Sequence, residues 1–231
     1  LRGAQTGRIT IGMVSTAKYF LPRLLARFRE EHRGVELRME LGNREQLVRM
    51  LRDAEVDLAV MGRPPREIEA RAEAFAEQPH AIVAAPVHRL ARVTEITPAM
   101  LSGEEFIVRE PGSGTRAAME GFFRDARIAP PQVMESTSNE TIKQAVIANM
   151  GLAFLSLHTV GLELDNGLLT VLDVAGLPLV RRWHIVHLQS KPLSPAAEAL
   201  RYFVLEHGEA LIRSQFGSAV QTMADDMPPD A

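Results

Sequence analysis

The amino-acid sequence predicts an α/β protein made of two Rossmann-like lobes. Short apolar runs alternate with amphipathic stretches along the 231 residues, and this alternation is typical of βαβ units and a parallel sheet. Two such series follow one another, and a final apolar run and helix come after the second series is complete. We therefore expect the chain to return to the first lobe through two crossing strands, near Ala84–His88 and Arg182–His187.

The first series is defined by apolar residues at helical and strand spacing. Phe20, Leu24 and Phe28 recur on one face of a predicted helix, with arginine and glutamate on the other face. Pro64 and Pro65 end the series, because proline donates no hydrogen bond and does not fit a helix interior. The predicted elements are strand Arg8–Val14, helix Lys18–Glu31, strand Val35–Leu41, helix Arg44–Ala54 and strand Val56–Met61.

The second series begins after a polar stretch, Arg66–Glu77, in which no element is predicted. The apolar run His80–Val87 predicts a long buried strand. Ser194 and Pro195 are typical of a helix start and predict the last helix. The further predicted elements are helix Pro98–Leu101, strand Glu105–Val108, helix Ser113–Ala126, strand Gln132–Glu135, helix Asn139–Asn149, strand Gly151–Leu155, a short helix near Leu157–Leu162, strand Trp183–Leu188 and helix Ser194–His207.

These elements give an expected domain organisation. Lobe I is expected over residues 8–84 and 187–216, and lobe II over residues 85–186. Residues 1–7 are polar and are expected to be the remnant of a linker. The acidic, proline-containing segment 217–231 is expected to be a disordered tail.

Composition excludes several function classes. The 26 basic and 29 acidic side chains give a net charge of -3 without a long basic run, so these residues have no electrostatic footprint for nucleic acid. The absence of cysteine excludes disulfides and thiolate metal sites and fits a reducing cytoplasm. No apolar run approaches the roughly 20 residues of a membrane span, and no signal-peptide core is visible. We expect a soluble cytoplasmic protein.

In two places, Arg8–Thr16 and Phe106–Arg116, the end of a predicted strand is followed by small hydroxyl residues that open a helix. A helix start has unpaired backbone N–H groups and a partial positive charge, so each corner is suited to bind an anion. Two corners about a hundred residues apart suggest two lobes that hold one small ligand between them. The candidate ligand-binding residues are Ser15, Thr16, Lys18, Asn43, Gly62, Arg63, Gly112, Ser113, Gly114, Thr115, Arg116 and Ser138.

Each candidate also has a purely structural interpretation. Ser15, Thr16 and Ser138 are suited to cap helices that bind nothing, and Asn43 is suited to satisfy a turn. The glycines beside Ser113 are explained equally well by a tight turn, and surface arginines are usually solvated. The two adjacent hydroxyls and the clustering of arginine near the second corner favour ligand contact, because an arginine fork binds carboxylate or phosphate in a bidentate manner.

Neither catalysis nor a metal centre is expected. The seven histidines lack the spacing of a metal-binding helix, and Ser113 lacks the Gly-x-Ser-x-Gly frame of a nucleophile elbow. His80, His184 and His187 lie in apolar runs and are interpreted as core or hinge residues. No cofactor is expected.

Several segments resemble the effector-binding domain of LysR-type transcriptional regulators, from about Gly7 to about Phe216. The segments that carry this resemblance are Gly7–Gly12, Leu21–Phe28, Gly34–Leu37 and Asp57–Met61. Shorter motifs are most similar to the regulators of the carbon-fixation (RuBisCO, Calvin-cycle) operon: Ser15–Phe20, Gly42–Glu45, Met61–Pro65 and Arg109–Arg116.

The resemblance implies a fold like that of type 2 periplasmic binding proteins, with an effector in the cleft between the lobes. It places that effector against Ser15 and Thr16, the Gly42–Asn43 turn, the end of strand Val56–Met61 and the helix start Gly112–Thr115. Ligands in open α/β sheets bind beyond the carboxyl ends of strands, which favours the same positions independently. The expected effector is an anionic metabolite, either a sugar phosphate or another Calvin-cycle intermediate, or NADPH.

The resemblance also implies partners. Family members begin with a winged helix-turn-helix domain, so DNA would be contacted only through that domain, which this sequence lacks. The helix Lys18–Glu31 is expected to pack against the strand and helix edge of a second copy in a homodimer, with a tetramer in the full-length protein.

Two alternatives stay open on sequence grounds. A solute-binding protein of a transporter would share the fold but would need an export signal or a lipid anchor upstream. An enzyme would need a general acid or base in the cleft, and no placed carboxylate or histidine is identifiable.

Overall fold

The computed structural model describes residues 6–216, which divide into two compact units. The first unit contains residues 6–78 and 181–215, and the second contains residues 79–180 and Phe216. The predicted linker remnant, apart from Thr6 and Gly7, and the predicted disordered tail lie outside the described residues. The lobe boundaries predicted at Ala84 and His187 lie on the same two strands as the boundaries of the units, a few residues further along each strand.

Helices and strands alternate as the sequence predicts. The strands are β1 (Thr6–Val14), β2 (Gly34–Gly42), β3 (Leu58–Met61), β4 (Ala70–Ala84), β5 (Phe106–Arg109), β6 (Gln132–Ser136), β7 (Ala153–Ser156), β8 (Thr170–Val171) and β9 (Leu179–Leu188). The α-helices are α1 (Leu21–Glu31), α2 (Arg44–Arg52), α3 (Gly114–Asp125), α4 (Asn139–Ile147), α5 (Gly161–Asp165) and α6 (Pro195–Gln215). Short 3₁₀ helices lie at Ser15–Tyr19, Pro98–Leu101 and Leu157–Thr159.

The sheet of the first unit has β1 between β2 and β3. Both pairings are parallel, with Val14 opposite Gly42 and Ile11 opposite Leu58. β9 pairs antiparallel with β3, and β4 lies next to β9 in the strand order. The parallel pairings agree with the predicted βαβ series, and the antiparallel pairing involves a strand that carries the chain from one unit to the other.

The apolar face of α1 forms part of the first core. Its apolar residues Leu21, Leu24 and Phe28 are buried, and Phe20 packs edge to face on Trp183 with ring centroids 4.9 Å apart. Burying a large apolar side chain contributes roughly 1.5–3 kcal/mol. The apolar face of α1 is therefore covered by residues of its own chain.

Two helix predictions were wrong in their bounds. The helix predicted over Lys18–Glu31 is divided, because a 3₁₀ turn ends at Tyr19 and Pro22 sits in the first turn of α1, where proline is favoured. The last helix continues past His207 to Gln215 through Gly208. The helix contains a glycine at this position because Phe75 packs closely against it. A Cβ atom on residue 208 would lie 2.7 Å from Cδ2 of Phe75.

Strand β4 was predicted to begin at His80 but begins at Ala70. Its first half alternates alanine with mainly charged residues, which have low strand propensity, so residues 70–77 look like a loop in the sequence, although neighbouring strands supply their hydrogen bonds. The strand ends at Ala84, before Pro86, which has no N–H group for a sheet ladder.

The second unit contains β5 and β6 as a parallel pair, while β7 and the unpredicted β8 both pair antiparallel with β4. Its core gathers apolar residues of α3 around the strands, and Phe106 meets Phe123 edge to face at 5.0 Å. Within residues 6–216, no helix combines the length and apolar character needed to cross a bilayer.

Candidate functional site

The carboxyl ends of three parallel strands meet at one edge of the first unit. β1 ends at Val14 and β2 at Gly42, and these two residues are paired; β3 ends at Met61. The segments that follow carry the six candidate residues of this unit, and we call this place the first edge. It consists of Ser15, Thr16, Lys18, Asn43, Gly62 and Arg63. The structure therefore brings these six predicted residues to one side of one sheet.

Ser15 and Thr16 open a 3₁₀ helix and do not cap it. The residue before this helix is Val14, and no side chain caps its first turn. The capping interpretation of these two hydroxyls is therefore wrong. Since α1 begins only at Leu21, its dipole does not start at the hydroxyls as the sequence suggested. Thr16 is buried, and its hydroxyl has no hydrogen bond to another described residue.

Lys18 supplies a positive charge to the first edge. Its Nζ lies 5.3 Å from the ring centroid of Tyr19, a cation–π distance, and it forms no ion pair with a described carboxylate. Asn43, in contrast, caps α2. Its Oδ1 accepts from the Gln46 N–H at 2.9 Å, while Gln46 Oε1 accepts from the Asn43 N–H at 2.8 Å. This capping box fully explains an asparagine at position 43.

The segment after β3 is held by His184 and Arg44, neither of which was predicted as a site residue. His184 Nδ1 lies 2.6 Å from the carbonyl oxygen of Gly62, so this nitrogen carries the proton that is donated. Arg44 donates to the carbonyl oxygens of Arg63 at 3.3 Å and Pro64 at 3.2 Å, and its other nitrogens contact Glu67 at 2.9 and 3.1 Å.

The Arg44 contact has an electrostatic consequence for Glu67. Hydrogen bonding from the Arg44 guanidinium lowers the pKa of the Glu67 carboxyl to about 2, although partial desolvation opposes the shift. The charge of Arg44 is therefore compensated within the protein. The Arg63 side chain projects from the same segment, is exposed, and has no ion-pair partner among the described residues.

A second edge lies at the carboxyl ends of β5 and β6 in the second unit, where Arg109 is paired with Ser136. It carries the other six candidates, which are Gly112, Ser113, Gly114, Thr115, Arg116 and Ser138. Ser113 caps α3 by accepting from the Arg116 N–H at 3.3 Å, and Ser138 caps α4 by accepting from the Thr141 N–H at 3.2 Å. At the start of each helix, one backbone N–H group is therefore already hydrogen-bonded to a serine hydroxyl of the protein.

The glycines of the second edge have distinct roles. Gly112 adopts a left-handed conformation with φ of 86°, which disfavours any residue with a Cβ atom. A Cβ atom on Gly114 would meet no atom within 4 Å, so this glycine leaves open space at the first position of α3. Thr115 is buried behind it.

The guanidinium of Arg116 is engaged by the protein itself. Its nitrogens contact Glu120 at 2.5 Å, the Arg109 carbonyl oxygen at 2.8 Å and Glu135 at 3.3 Å. Arg109 is buried and contacts Glu110 at 2.7 Å and Asn139 at 2.8 Å. The two arginines that made the second corner look basic are therefore compensated, while the first edge carries the uncompensated charge.

A cavity of about 300 Å³ lies elsewhere in the first unit, between α1 and α6. Phe20, Leu24 and Ile212 line its apolar wall, with Arg23 and Arg27 beside them. It includes none of the twelve candidate residues. Among residues 6–216, no group of three or more histidine, aspartate or glutamate side chains is placed to hold a metal ion.

Comparison with known proteins identifies the family of this chain. The family model for the LysR substrate binding domain matches residues 2–209. The HTH-type transcriptional regulator CfxR of Cupriavidus necator is 50% identical over 217 residues, which are 94% of this chain and 68% of CfxR. The RuBisCO operon transcriptional regulator of Allochromatium vinosum is 47% identical, over 89% of this chain and 68% of that protein.

Among solved structures, the Synechocystis PCC6803 CcmR regulatory domain in complex with 2-PG superposes with a TM-score of 0.84. It is 35% identical, and the match covers 87% of this chain and 97% of the CcmR chain. These relatives are regulators, so the transporter alternative is not favoured. The chain belongs to the LysR substrate binding domain family and is the effector domain of a LysR-type transcriptional regulator, similar to regulators of carbon-fixation operons.

Proposed function

We propose that this domain senses a small phosphorylated organic anion that binds at the first edge. The observation that carries the proposal is the chemistry gathered there from separate strands. Thr16 offers a hydroxyl with no described partner, and Lys18 and Arg63 offer charges with no described counter-ion. A phosphoryl group supplies the missing negative charge and accepts hydrogen bonds from all three groups.

The similarity to CcmR supports this ligand class. Its regulatory domain was solved with 2-PG, and the relatives of this chain include regulators named for the RuBisCO operon. We therefore propose a phosphorylated acid or sugar of carbon fixation as the effector, with NADPH as the second candidate. The expectation that one ligand contacts both edges stays a prediction, and the variants below test each edge separately.

Thermal unfolding with a panel of probes tests the proposal. A ligand that binds only the folded state stabilises it by RT ln(1 + [L]/Kd), so binding raises the melting temperature. We expect 2-phosphoglycolate or ribulose 1,5-bisphosphate to raise it, and glycolate, which lacks the phosphoryl group, to leave it unchanged. A panel in which no phosphorylated compound or NADPH has an effect contradicts the proposal.

Isosteric threonine variants locate the site. Thr16→Val removes the hydroxyl at the first edge, and Thr10→Val is its matched control in the middle of β1, the strand that leads to it. We expect Thr16→Val to weaken binding by about 10-fold, since a hydrogen bond to a charged group is worth about 1.5–3 kcal/mol, and Thr10→Val to have no effect. Thr115→Val applies the same change to the second edge.

We further propose that effector binding controls transcription through the geometry of a DNA-bound dimer or tetramer. A ligand shifts such an equilibrium only by its differential affinity for the two states, typically about 1–3 kcal/mol. The test is a footprint of the longer regulator on RuBisCO operon DNA with and without 2-phosphoglycolate. The footprint should change on ligand addition in the natural protein and not in Thr16→Val.

A further inference from the structure

Two strands carry the chain between the units, and we call β4 and β9 the crossing strands. β4 leaves the first unit after Gln78, and β9 returns to it at Arg181. In the strand order β9 lies between β3 and β4, and His184 of β9 is paired with Met61 of β3. Both crossing strands therefore belong to the sheet whose carboxyl ends form the first edge.

His184 attaches β9 to the residue that follows β3. Its Nδ1 lies 2.6 Å from the Gly62 carbonyl oxygen and 3.0 Å from the Arg182 carbonyl oxygen. Since both partners only accept hydrogen bonds, Nδ1 carries a proton and donates it. The half-buried imidazole therefore links the returning strand to the peptide group that joins Gly62 to Arg63.

Gln78 contacts the same glycine from β4. A Cβ atom on Gly62 would lie 2.7 Å from Gln78 Oε1, so the side-chain amide lies directly against the glycine backbone. Gln78 is buried, and it is the last residue of the first unit on β4. A larger residue at position 62 would have to displace this amide. Gly62 is thus contacted by one side chain from each crossing strand.

The next residue along the chain is a candidate for contact with the effector. The side chain of Arg63 is exposed, while its carbonyl oxygen and that of Pro64 accept hydrogen bonds from Arg44. The carbonyl oxygens of three successive residues are therefore bound by side chains of the first unit. An anion that orders the Arg63 side chain acts on a backbone segment that His184 and Gln78 also contact.

We propose that His184 and Gln78 couple effector binding at the first edge to the two crossing strands through Gly62. This inference rests on the proposed function and adds to it two positioning residues, which act without touching the effector. A ligand on Arg63 orders the peptide group between Gly62 and Arg63, and this ordering strengthens the contacts of that group with β9 and β4. Backbone torsions change at such connections when two-unit proteins switch state, so the coupling gives the effector control over them.

A pair of variants separates the hydrogen bond from the rest of the His184 side chain. The amide nitrogen of asparagine takes the place of Nδ1, so His184→Asn keeps a donor to Gly62, whereas His184→Leu removes it. His187 provides the matched control, because it is a half-buried histidine of the same strand whose Nδ1 lies 3.0 Å from the adjacent Leu188 carbonyl oxygen. His187→Leu makes the same change on β9 without removing a contact of Gly62.

Backbone NMR spectra of the natural chain and these three variants test the inference, with and without 2-phosphoglycolate. The saturating concentration for each protein is set from its Kd by isothermal titration, so a change in affinity does not affect the comparison. Trp183, the single tryptophan of the chain, is a reporter directly beside His184. We expect the ligand to shift the amide resonances of residues 76–78 and 181–185 in the natural chain, His184→Asn and His187→Leu. In His184→Leu the shifts at residues 181–185 should be lost, while those at residues 13–18 of the first edge remain.

The other outcomes separate the inference from the proposed function. If the natural chain binds 2-phosphoglycolate but residues 181–185 do not shift, or shift equally in His184→Leu, the inference is overturned and the proposed function stands. Loss of binding itself in His184→Leu would make His184 part of the binding site and would also contradict the coupling role. If the natural chain binds no phosphorylated probe, the proposed function fails.

Gly62→Ala tests the contact with β4 while His184 stays unchanged. The added Cβ atom displaces the Gln78 amide, so the ligand-dependent shifts at residues 76–78 should be lost and those at residues 181–185 should remain. Shifts that persist at residues 76–78 would contradict the role of Gln78. This variant also keeps the inference testable if His184→Leu does not fold.

Discussion

Arginine side chains in this domain are divided between those that stabilise the fold and those left for a ligand. Arg44 and Arg116 are both largely buried and contact glutamates and backbone carbonyl oxygens of the protein. Arg63 has no such partner. The sequence alone does not reveal this division, because Arg44 and Glu67 are 23 positions apart and no local pattern links them.

The Arg44–Glu67 contact predicts a dependence of stability on pH. The pKa of Glu67 in the folded protein is about 2, below its ordinary value of 4.5, so its contribution to stability is present above pH 4.5 and is lost as the pH falls toward 2. Urea unfolding of the natural chain and Glu67→Gln should therefore differ at pH 7 and converge near pH 2. A difference that does not change with pH would contradict the assignment.

Asn43 provides a test of capping against ligand contact. Losing the capping box in Asn43→Ala should cost about 1 kcal/mol of unfolding free energy, and Asn43→Ser should restore most of it, because serine also caps. We expect the 2-phosphoglycolate affinity to follow the same order. Weak binding by a fully stable Asn43→Ser would instead show that the amide contacts the ligand.

The helices and strands show where local pattern suffices and where it does not. Strands β1 and β2 and helix α2 were predicted to within about two residues, because β1 and α2 bury apolar residues at regular spacing and β2 is bounded by Gly34 and Gly42. The first half of β4 was missed, since its polar residues are ordered by neighbouring strands. The end of α6 was missed because Gly208 resembles a helix stop, and its packing partner Phe75 is far away in the sequence.

Gly208 and Gly121 give opposite predictions for the same substitution. Helix propensity alone favours alanine over glycine by about 1 kcal/mol. Gly121 in α3 has ordinary space for a Cβ atom, the nearest atom being 3.7 Å away, so Gly121→Ala should stabilise the protein by roughly that amount. At Gly208 the Cβ atom would lie 2.7 Å from Phe75, and overpacking should cost about 1–3 kcal/mol.

Chemical denaturation of both variants measures this difference. Stabilisation by Gly208→Ala would show that Phe75 moves aside without cost, and the packing explanation for the uninterrupted helix would be wrong. The Gly121 variant controls for the general effect of alanine on helix stability.

At the scale of the whole molecule, the sequence predicts the order of the elements better than the way in which distant strands pair. The two series of elements were visible as repeated alternation, whereas the antiparallel placement of β9 depends on contacts between distant segments. For the site, both groups of candidates lie at the carboxyl edges of parallel strands, as sheet topology predicts. His184 and Arg44, which hold the segment after β3, were not predicted as site residues because their partners lie far away or in a different element of the sequence.

The predicted homodimer has a candidate surface in the first unit. β2 is at one end of the strand order, and its residues Met39 and Leu41 are 39% and 52% exposed on one face. An edge strand with exposed apolar residues is suited to pairing with a second chain. The apolar face of α1 is already buried within its own chain, so we place the contact on β2 and the outer surface of α1.

Light scattering after size-exclusion chromatography tests this interface. The natural chain should have twice the monomer mass of 25.5 kDa at micromolar concentration, and Leu41→Glu should return to the monomer mass. Val133→Glu, at an exposed apolar residue of the second unit, is the matched control and should stay dimeric. A natural chain of monomer mass would exclude the dimer for these residues.

A crystal structure of the domain soaked with 2-phosphoglycolate is the most direct measurement of effector binding. We expect the phosphoryl oxygens within hydrogen-bond distance of Thr16 Oγ1, Lys18 Nζ and the guanidinium group of Arg63. Density for the probe in the cavity between α1 and α6, or only at surface lysines, would contradict the assignment of the first edge as the effector site.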